Sequence, residues 1–257
     1  MLKLKKGDIE YYAFNNFTNH NIVHGFPNRK NGFSKGDFAS LDFSYSNSED
    51  TEAVKNNYIK LSNTFEITDY VYGKQIHTKN VSVITEEEEE FFFKNNDGFV
   101  CDCNKTLFTY HADCGSVFLY DVITDVFGLL HSGWRGTALN ITKEALNIMI
   151  GEFGCRASDI IVGVGPSICY ECFEVDRKVA KTFIKEGYKT LVKYDNYKDK
   201  YFVDIKNIIK TQCMDMGIPM ENIELAQECT LCNENEFFSH RRSGTNRGTH
   251  IGFLKKR

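Results

Sequence analysis

Short β-type runs, broken irregularly by segments of helical periodicity, most limit how this chain can fold. β-Branched and aromatic residues cluster in runs bounded by turn residues, a pattern typical of strands. These runs lie at 70–77, 98–103, 107–111, 116–120, 126–130, 160–164, 223–226 and 250–254, and residues 8–45 resemble short strands and turns. Helical spacing occurs at 53–65, from 137 to 154, at 176–186 and after 204. This irregular alternation predicts an α+β fold with mixed sheets.

The composition fits one globular unit. The chain has 257 residues, of which 42% are hydrophobic and 26% are charged, and no Gly/Ser-rich linker divides it. We therefore expect a single compact domain over residues 1–257. A formal net charge of −4 argues against nucleic acid as a partner. No run has the character of a signal peptide or a membrane span, so we expect a cytoplasmic protein without a membrane partner. The sequence does not specify the oligomeric state.

Three short motifs place histidine or cysteine at the end of a predicted strand. They end or begin at His77, Cys114 and His131. Two imidazoles and a thiolate are ligands that suit zinc, and three protein ligands with one open position are typical of catalytic zinc. Taken singly, each residue also fits an ordinary core or turn position, because free cysteine is often buried. The metal hypothesis therefore depends on the convergence of three strand ends.

The remaining cysteines offer a competing metal site. The chain has nine cysteines, an odd number, which in a reducing compartment are free thiols or metal ligands. Cys169 with Cys172 and Cys229 with Cys232 form two Cys-x-x-Cys pairs, and two such pairs can build a four-thiolate structural zinc site. Their separation is longer than in usual zinc ribbons, so we keep this as an alternative. Cys101 and Cys103 lie on one side of a predicted strand, and we interpret their thiols as core-packing groups.

Two glycine- and arginine-containing segments are candidates for anion binding. The Gly133–Gly136 link precedes a helix predicted to open near Thr137, and a helix N-terminus with Arg135 attracts an anion. The opposing interpretation is that Trp134 and Arg135 stack on the surface. Near the C-terminus, Phe237 and Phe238 precede a cluster that suggests a base-stacking wall beside a phosphate grip, against the alternative of a solvated basic loop. The arginines of this cluster are Arg241, Arg242 and Arg247.

These segments, in their order along the chain, resemble the YfiH-type family, formerly described as polyphenol oxidase or laccase-domain proteins and now regarded as purine nucleoside phosphorylases with adenosine deaminase activity. The matching segments are KQIH at 74–77, NDG at 96–98, HADC at 111–114, HSGWRG at 131–136, GPSICYECFEV at 165–175 and CTLCNENEFFSHRRSGTNRG at 229–248. HSGWRG and FFSHRR are the most specific of them. The resemblance spans nearly the whole chain.

The resemblance implies a layered α/β/β/α fold and one zinc ion held by His77, Cys114 and His131. It also implies phosphorolysis of adenosine, inosine, guanosine and methylthioadenosine, together with deamination of adenosine, so purine nucleosides and phosphate are the expected partners. Some members of the family are linked to editing of peptidoglycan precursors. The candidate substrate or phosphate ligands are Gln75, Arg135, Arg242 and Arg247.

Three other functions stay open at this point. A copper-dependent oxidase is one, because two histidines and a cysteine also bind copper, although the methionines lie far from the three motifs. A second is a cysteine hydrolase with Cys114 as nucleophile and His131 as base. The third is a zinc-stabilised interaction module held by the Cys-x-x-Cys pairs, which would not be an enzyme.

Overall fold

The structure is a computed structural model that describes residues 1–46 and 50–257. The described residues form sixteen strands and six α-helices. The strands are β1 (Leu2–Lys6), β2 (Ile9–Ala13), β3 (Ile22–Pro27), β4 (Tyr70–Gly73), β5 (Val81–Ile84), β6 (Phe92–Phe93), β7 (Gly98–Cys101), β8 (Thr106–His111), β9 (Gly115–Asp121), β10 (Phe127–Ser132), β11 (Ile160–Val164), β12 (Glu174–Val175), β13 (Val192–Asp195), β14 (Lys200–Val203), β15 (Ile223–Leu225) and β16 (His250–Lys256). The helices are α1 (Thr51–Phe65), α2 (Trp134–Ala138), α3 (Ile141–Phe153), α4 (Arg177–Lys185), α5 (Ile205–Asp215) and α6 (His240–Ser243).

Two large sheets of mixed direction carry most of the strands. The first has the order β1-β2-β3-β16-β8-β4-β6, in which β4 runs parallel to β8 and β6 and the other pairs are antiparallel. The second has the order β15-β11-β9-β10-β7-β5, with parallel pairs at both edges. A small antiparallel sheet, β12-β14-β13, lies apart from them. The mixed sheets confirm the predicted α+β class.

Alternating side chains bury both faces of the second sheet. In β9, Val117 and Leu119 belong to the core that α3 and α5 cover, whereas Phe118 and Tyr120 belong to the core shared with the first sheet. This alternation is the expected consequence of the two-residue period of a strand. On its outer face the first sheet packs against α1, through Leu61 and other apolar residues. The order of layers is therefore helix, sheet, sheet, helices.

The helix predicted to open near Thr137 is where sequence and structure differ most. The chain enters α2 already at Trp134, breaks at Asn140, which adopts a left-handed conformation, and continues as α3 to Phe153. The prediction of the helix start was wrong because the apolar periodicity reflects only the face that α3 buries. The other predicted helices are confirmed. The helix after 204 begins at an N-cap, Asp204, whose side chain accepts a hydrogen bond from the Asn207 amide. Neither 1–46 nor 50–257 contains a helix with the length and apolar character needed to cross a membrane.

Candidate metal centre and active-site cavity

The three predicted ligands come from three separate strand connections. His77 lies in the loop after β4, Cys114 ends the tight turn between β8 and β9, and His131 belongs to the last part of β10. Pairing of β9 with β10 places Ser116 opposite His131, which brings the turn at Cys114 beside the end of β10. Residues far apart in sequence thus meet where these strands end.

The donor atoms of these residues form a compact group. One ring nitrogen of each histidine and the Cys114 sulfur all lie within 4.8 Å of one another. The Cys114 Sγ is 3.9 Å from His77 Nε2, and the rings of His77 and His131 are perpendicular with centroids 4.9 Å apart. Two nitrogens and a sulfur at this spacing fit around one ion of the size of zinc. The same set also suits copper.

Asp97 organises two of the three donors, and the sequence had pointed to it only as part of NDG. The carboxylate accepts hydrogen bonds from the backbone amides of His77 (3.0 Å) and Thr78 (2.7 Å) and pairs with His131 Nδ1 at 2.9 Å. This pairing leaves Nε2 of His131 for the cavity. A carboxylate that orients a ligating histidine in this way is a recurrent partner of metal sites.

Gly133 is required by the close approach of two donors. A Cβ on this residue would lie 2.7 Å from His77 Cδ2 and 3.1 Å from Cys114 Sγ. The backbone of the HSGWRG segment therefore forms one side of the donor group. The glycine is there for close contact, since its φ of −70° is available to any residue.

The electrostatics favour a thiolate. Burial raises the pKa of the Cys114 thiol, but the neighbouring imidazoles of His131 and His77 outweigh burial and lower the pKa to about 6. Burial lowers the pKa of His131, but the Cys114 thiolate and the Asp97 carboxylate together raise it to about 9. For Asp97, burial raises the pKa, but hydrogen bonds from His131 and Thr78 bring it down to about 2. A thiolate is the form that binds metal and attacks electrophiles.

The donor group lies in the wall of a large cavity. The cavity has a volume of about 1010 Å³, which is ample for a nucleoside-sized ligand. Aromatic side chains also line the cavity, namely Phe43, Tyr45, Tyr58, Tyr70, Tyr72, Phe92, Tyr110, Trp134 and Phe173. The rings of Tyr45 and Tyr58 are stacked, with centroids 5.5 Å apart. His240, from the FFSHRR segment, also lines the cavity.

Two of the predicted anion ligands line this cavity. The Arg135 guanidinium lies 4.3 Å from the Trp134 ring, so the stacked pair that the sequence offered as an alternative does form. Arg247 donates through one terminal nitrogen to the Gly248 carbonyl and the Thr249 hydroxyl. Within the described part of the chain, its buried Nε has no hydrogen-bond partner. Arg247 thus lines the cavity and carries one buried N–H group that no described residue pairs.

The other two predicted ligands are engaged elsewhere. Arg242 donates to the carbonyl oxygens of Phe237, Thr230 and Leu231 and is not among the cavity-lining residues, whereas its neighbour Arg241 is. Gln75 lines the cavity, but its amide pairs with both the amide and the carbonyl of Tyr110, each at 2.7 Å. Arg242 and Gln75 thus brace the chain around the cavity.

The predicted base-stacking wall of Phe237 and Phe238 was wrong. Both side chains are buried in the protein interior, at 0% and 1% exposure. Phe237 contacts Tyr12, and Phe238 lies between Arg29 and His250. The aromatic lining of the cavity was not predicted from the sequence. The tyrosines of this lining come from four separate places in the chain: α1, β4, β8 and the segment before α1. The sequence feature that could have indicated this lining is the high aromatic content of segments 43–45, 70–72 and 108–110.

The competing cysteine pairs also converge. One sulfur from each of the four residues lies within 4.8 Å of the others, in a group separate from the first. The four residues are Cys169, Cys172, Cys229 and Cys232. The thiols of Cys101 and Cys103 are buried in the core between the two large sheets, as the packing prediction required.

Similarities to known proteins agree with the geometry. The mouse protein purine nucleoside phosphorylase LACC1 is 33% identical over 247 residues, and the match covers 92% of this chain but only 56% of the mouse protein. The adenosine deaminase RL5, from an unknown prokaryotic organism, is 30% identical over 202 residues, or 74% of this chain and 77% of that protein. The crystal structure of YlmD from Geobacillus stearothermophilus has a TM-score of 0.90 at 26% identity, covering 99% of this chain and 98% of that one.

The family model described as multi-copper polyphenol oxidoreductase laccase matches residues 23–257. This range includes all three segments that carry the donor group. The relatives named for purine nucleoside chemistry and the match in fold agree with the resemblance drawn from the motifs. The chain therefore belongs to the multi-copper polyphenol oxidoreductase laccase family, which includes the YfiH and YlmD proteins.

Proposed function

We propose that this chain is a zinc-dependent purine nucleoside phosphorylase that also deaminates adenosine. Its substrates would be adenosine, inosine, guanosine and methylthioadenosine, with phosphate as the second substrate. The proposal depends on one observation: two imidazole nitrogens and a thiol sulfur lie within 4.8 Å of one another in the wall of an aromatic-lined cavity. The names of the relatives support the reaction class.

His77, Cys114 and His131 would hold the zinc ion. When bound, the ion supplies Lewis acidity, which activates water or polarises a substrate oxygen. Asp97 keeps His131 in the orientation that turns Nε2 to the cavity, and it fixes the loop of His77 through that residue's backbone amide. The chain's own contribution is thus to hold three donor side chains in place on one side of the ion and leave the other side open.

Arg247 and Arg135 are the proposed phosphate ligands. In phosphorolysis a phosphate oxygen bonds to C1′ of the ribose while the bond from C1′ to the purine breaks, and the departing purine takes up a proton. Arg247 offers its buried Nε, which is without a partner among the described residues, and a charged donor in that position binds an anion strongly. The tyrosines that line the cavity offer faces on which a purine stacks.

A copper oxidase is less well supported, despite the name of the family. A multicopper centre needs additional imidazoles, but those of His111 and His250 use both ring nitrogens in hydrogen bonds inside the core. His24 is buried and accepts a hydrogen bond from the Phe14 amide. These contacts favour a single-ion site.

A cysteine hydrolase remains a second candidate because of the Cys114 and His131 pair. The pKa of the thiol is lowered by this imidazole and His77 despite burial, as in an activated nucleophile. A metal chelator separates the two functions. The hydrolase would keep full activity after complete removal of metal, whereas the zinc enzyme would lose it.

The deciding experiment is to incubate metal-quantified protein with adenosine, with and without phosphate, and to identify the products. We expect adenine and ribose 1-phosphate only with phosphate, and inosine without it. Cys114→Ala should lower both activities by at least about a hundredfold, because the donor group loses its thiolate. Cys155→Ala, which removes a buried thiol outside both groups, is the matched control.

Two results would contradict the proposal. Absence of any purine product from zinc-loaded protein would remove the assigned reaction. Phosphorolysis by metal-free Cys114→Ala at the wild-type rate would show that the donor group serves another purpose.

A further inference from the structure

We propose that Cys169, Cys172, Cys229 and Cys232 bind a second zinc ion as four thiolates, a structural site that fastens together two loops of the cavity wall. This inference is independent of the proposed activity. The four sulfurs lie within 4.8 Å of one another, and sulfurs around one zinc ion are about 3.8 Å apart when each bond is about 2.3 Å long. The site is closed, since four protein ligands complete the tetrahedron.

Each Cys-x-x-Cys pair folds into a turn that brings its two sulfurs to one side. In the first pair, the Cys169 carbonyl accepts hydrogen bonds from the amides of Cys172 and Phe173. In the second, the Cys229 carbonyl accepts from the amide and the side chain of Asn233. Two similar turns therefore present their thiols to each other, and the sulfurs of Cys172 and Cys232 come within 3.4 Å.

Hydrogen bonds to sulfur support a charged thiolate. The Sγ of Cys229 accepts the backbone amide of Cys169 at 3.3 Å and also that of Cys232. Amide donors of this kind stabilise negative charge on sulfur, and burial of a thiolate without them is costly. The donors are already in place around the most buried of the four thiols.

A buried ammonium group lies next to the same cluster. Lys206 is only 8% exposed, and its Nζ donates to the carbonyl oxygens of Ala226 and Glu228, just before Cys229. Burial lowers the pKa of this ammonium group, whereas negative charge on Cys229, Glu228 and Cys169 acts to raise it. Zinc with four thiolates carries a net negative charge, so Lys206 provides the compensating charge that burial of such a centre requires.

The position of the cluster assigns it a structural role. None of the four cysteines lines the cavity as described, but both loops reach it: Phe173 and Glu174 follow the first pair, and Arg241 follows the second. The Arg241 guanidinium donates to the carbonyl oxygens of Cys172 and Glu174. A zinc ion at the four sulfurs would hold both loops in register while it stays out of contact with substrate.

The test is to measure the number of zinc ions per chain in protein that has been purified with reductant and passed through a desalting column. We expect about two ions per wild-type chain, about one in Cys114→Ala, about one in Cys232→Ser and none in the double variant. X-ray absorption at the zinc edge of Cys114→Ala should show about four sulfur neighbours at about 2.3 Å. Cys155→Ala should keep both ions.

Three outcomes would overturn the proposal. Cys114→Ala without zinc would leave the four cysteines without a metal, even if Cys232→Ser fails to fold. A zinc content of Cys232→Ser equal to wild type would exclude this residue as a ligand. A disulfide between Cys172 and Cys232, found by mass spectrometry in the reduced, zinc-supplied wild-type protein, would identify a thiol pair rather than a metal site. Failure of the nucleoside assay changes none of these counts.

Discussion

The two cysteine-containing clusters differ in their donor atoms, in the structural elements that carry them and in their position relative to the cavity. The cluster of His77, Cys114 and His131 sits at the edge of two large sheets, mixes nitrogen with sulfur, and faces a cavity of about 1010 Å³. The four-cysteine cluster is all sulfur, is built from two turns, and lies outside the cavity lining. Mixed and open donor sets are typical of catalytic zinc, whereas closed sulfur sets are typical of structural zinc.

Asp113 connects the segments that carry the two clusters through hydrogen bonds. It precedes Cys114, and its carboxylate accepts hydrogen bonds from Thr230, Ser239 and the Arg241 amide. Its carbonyl accepts the amide of Ile168, from the loop of the first Cys-x-x-Cys pair. The loops that the four cysteines join are thus hydrogen-bonded to the turn that carries the Cys114 donor.

The largest effect that separates the clusters is expected from Asp97→Asn. The amide cannot accept all the hydrogen bonds that orient His131 and His77, so zinc affinity at the first cluster should fall by about 10- to 100-fold. The four-cysteine cluster should keep its ion. Competition with a chromogenic chelator measures both, and Asp121→Asn is a matched buried control. A chelation curve identical to that of wild type would show that Asp97 does not support the first cluster.

A second comparison uses the two arginines that the sequence treated alike. Arg247→Ala should raise the KM for phosphate by about tenfold to a hundredfold, because one charged hydrogen bond is lost, and should leave deamination unchanged. Arg242→Ala should leave that KM unchanged and lower the free energy of unfolding by about 1–3 kcal/mol, because three carbonyl groups lose their donor. Steady-state kinetics measures the KM for phosphate, and urea unfolding measures the free energy of unfolding. A raised KM in Arg242→Ala with an unchanged KM in Arg247→Ala would show that Arg242, and not Arg247, binds phosphate.

The smallest effect concerns pH and Glu236, which follows the second Cys-x-x-Cys pair in the chain. Burial raises the pKa of Glu236, but hydrogen bonds from Lys30, Lys3 and Asn28 lower it to about 2, from an ordinary value of 4.5. The folded form then binds protons less readily than the unfolded chain. Its stabilising contribution is therefore present above about pH 4.5 and is lost as pH falls toward about 2.

Glu236→Gln tests this contribution. We expect the difference in free energy of unfolding between wild type and variant to be about 1 kcal/mol near neutral pH, after solvent screening, and to shrink below about pH 4. Unfolding of metal-free protein at several pH values keeps protonation of zinc ligands out of the comparison. A difference that grows on acidification would contradict the assigned pKa direction.

Local sequence was a good guide to the elements and to the chemistry of the donors. The α+β class and the helix at Thr51–Phe65 follow from periodicity, because the core selects apolar residues at the period of each element. The small sheet of β12, β13 and β14 was not predicted, since its short strands carry exposed residues without clear alternation. The residue types at 77, 114 and 131 suggested the hypothesis of a metal site, and motif resemblance identified the family.

Which of these residues lie together depends on the folded chain. Asp97 meets His131 because β7 pairs with β10, and no local pattern reveals that contact. Arg241 and Arg242 are neighbours in the chain, and both donate to backbone carbonyls. Adjacent positions on a helical turn point in different directions, so Arg241 lines the cavity and Arg242 does not. Donor chemistry and element type follow from local sequence, because they depend on near neighbours. Convergence and orientation depend on strand pairing between distant segments, and those pairings exist only in the folded chain.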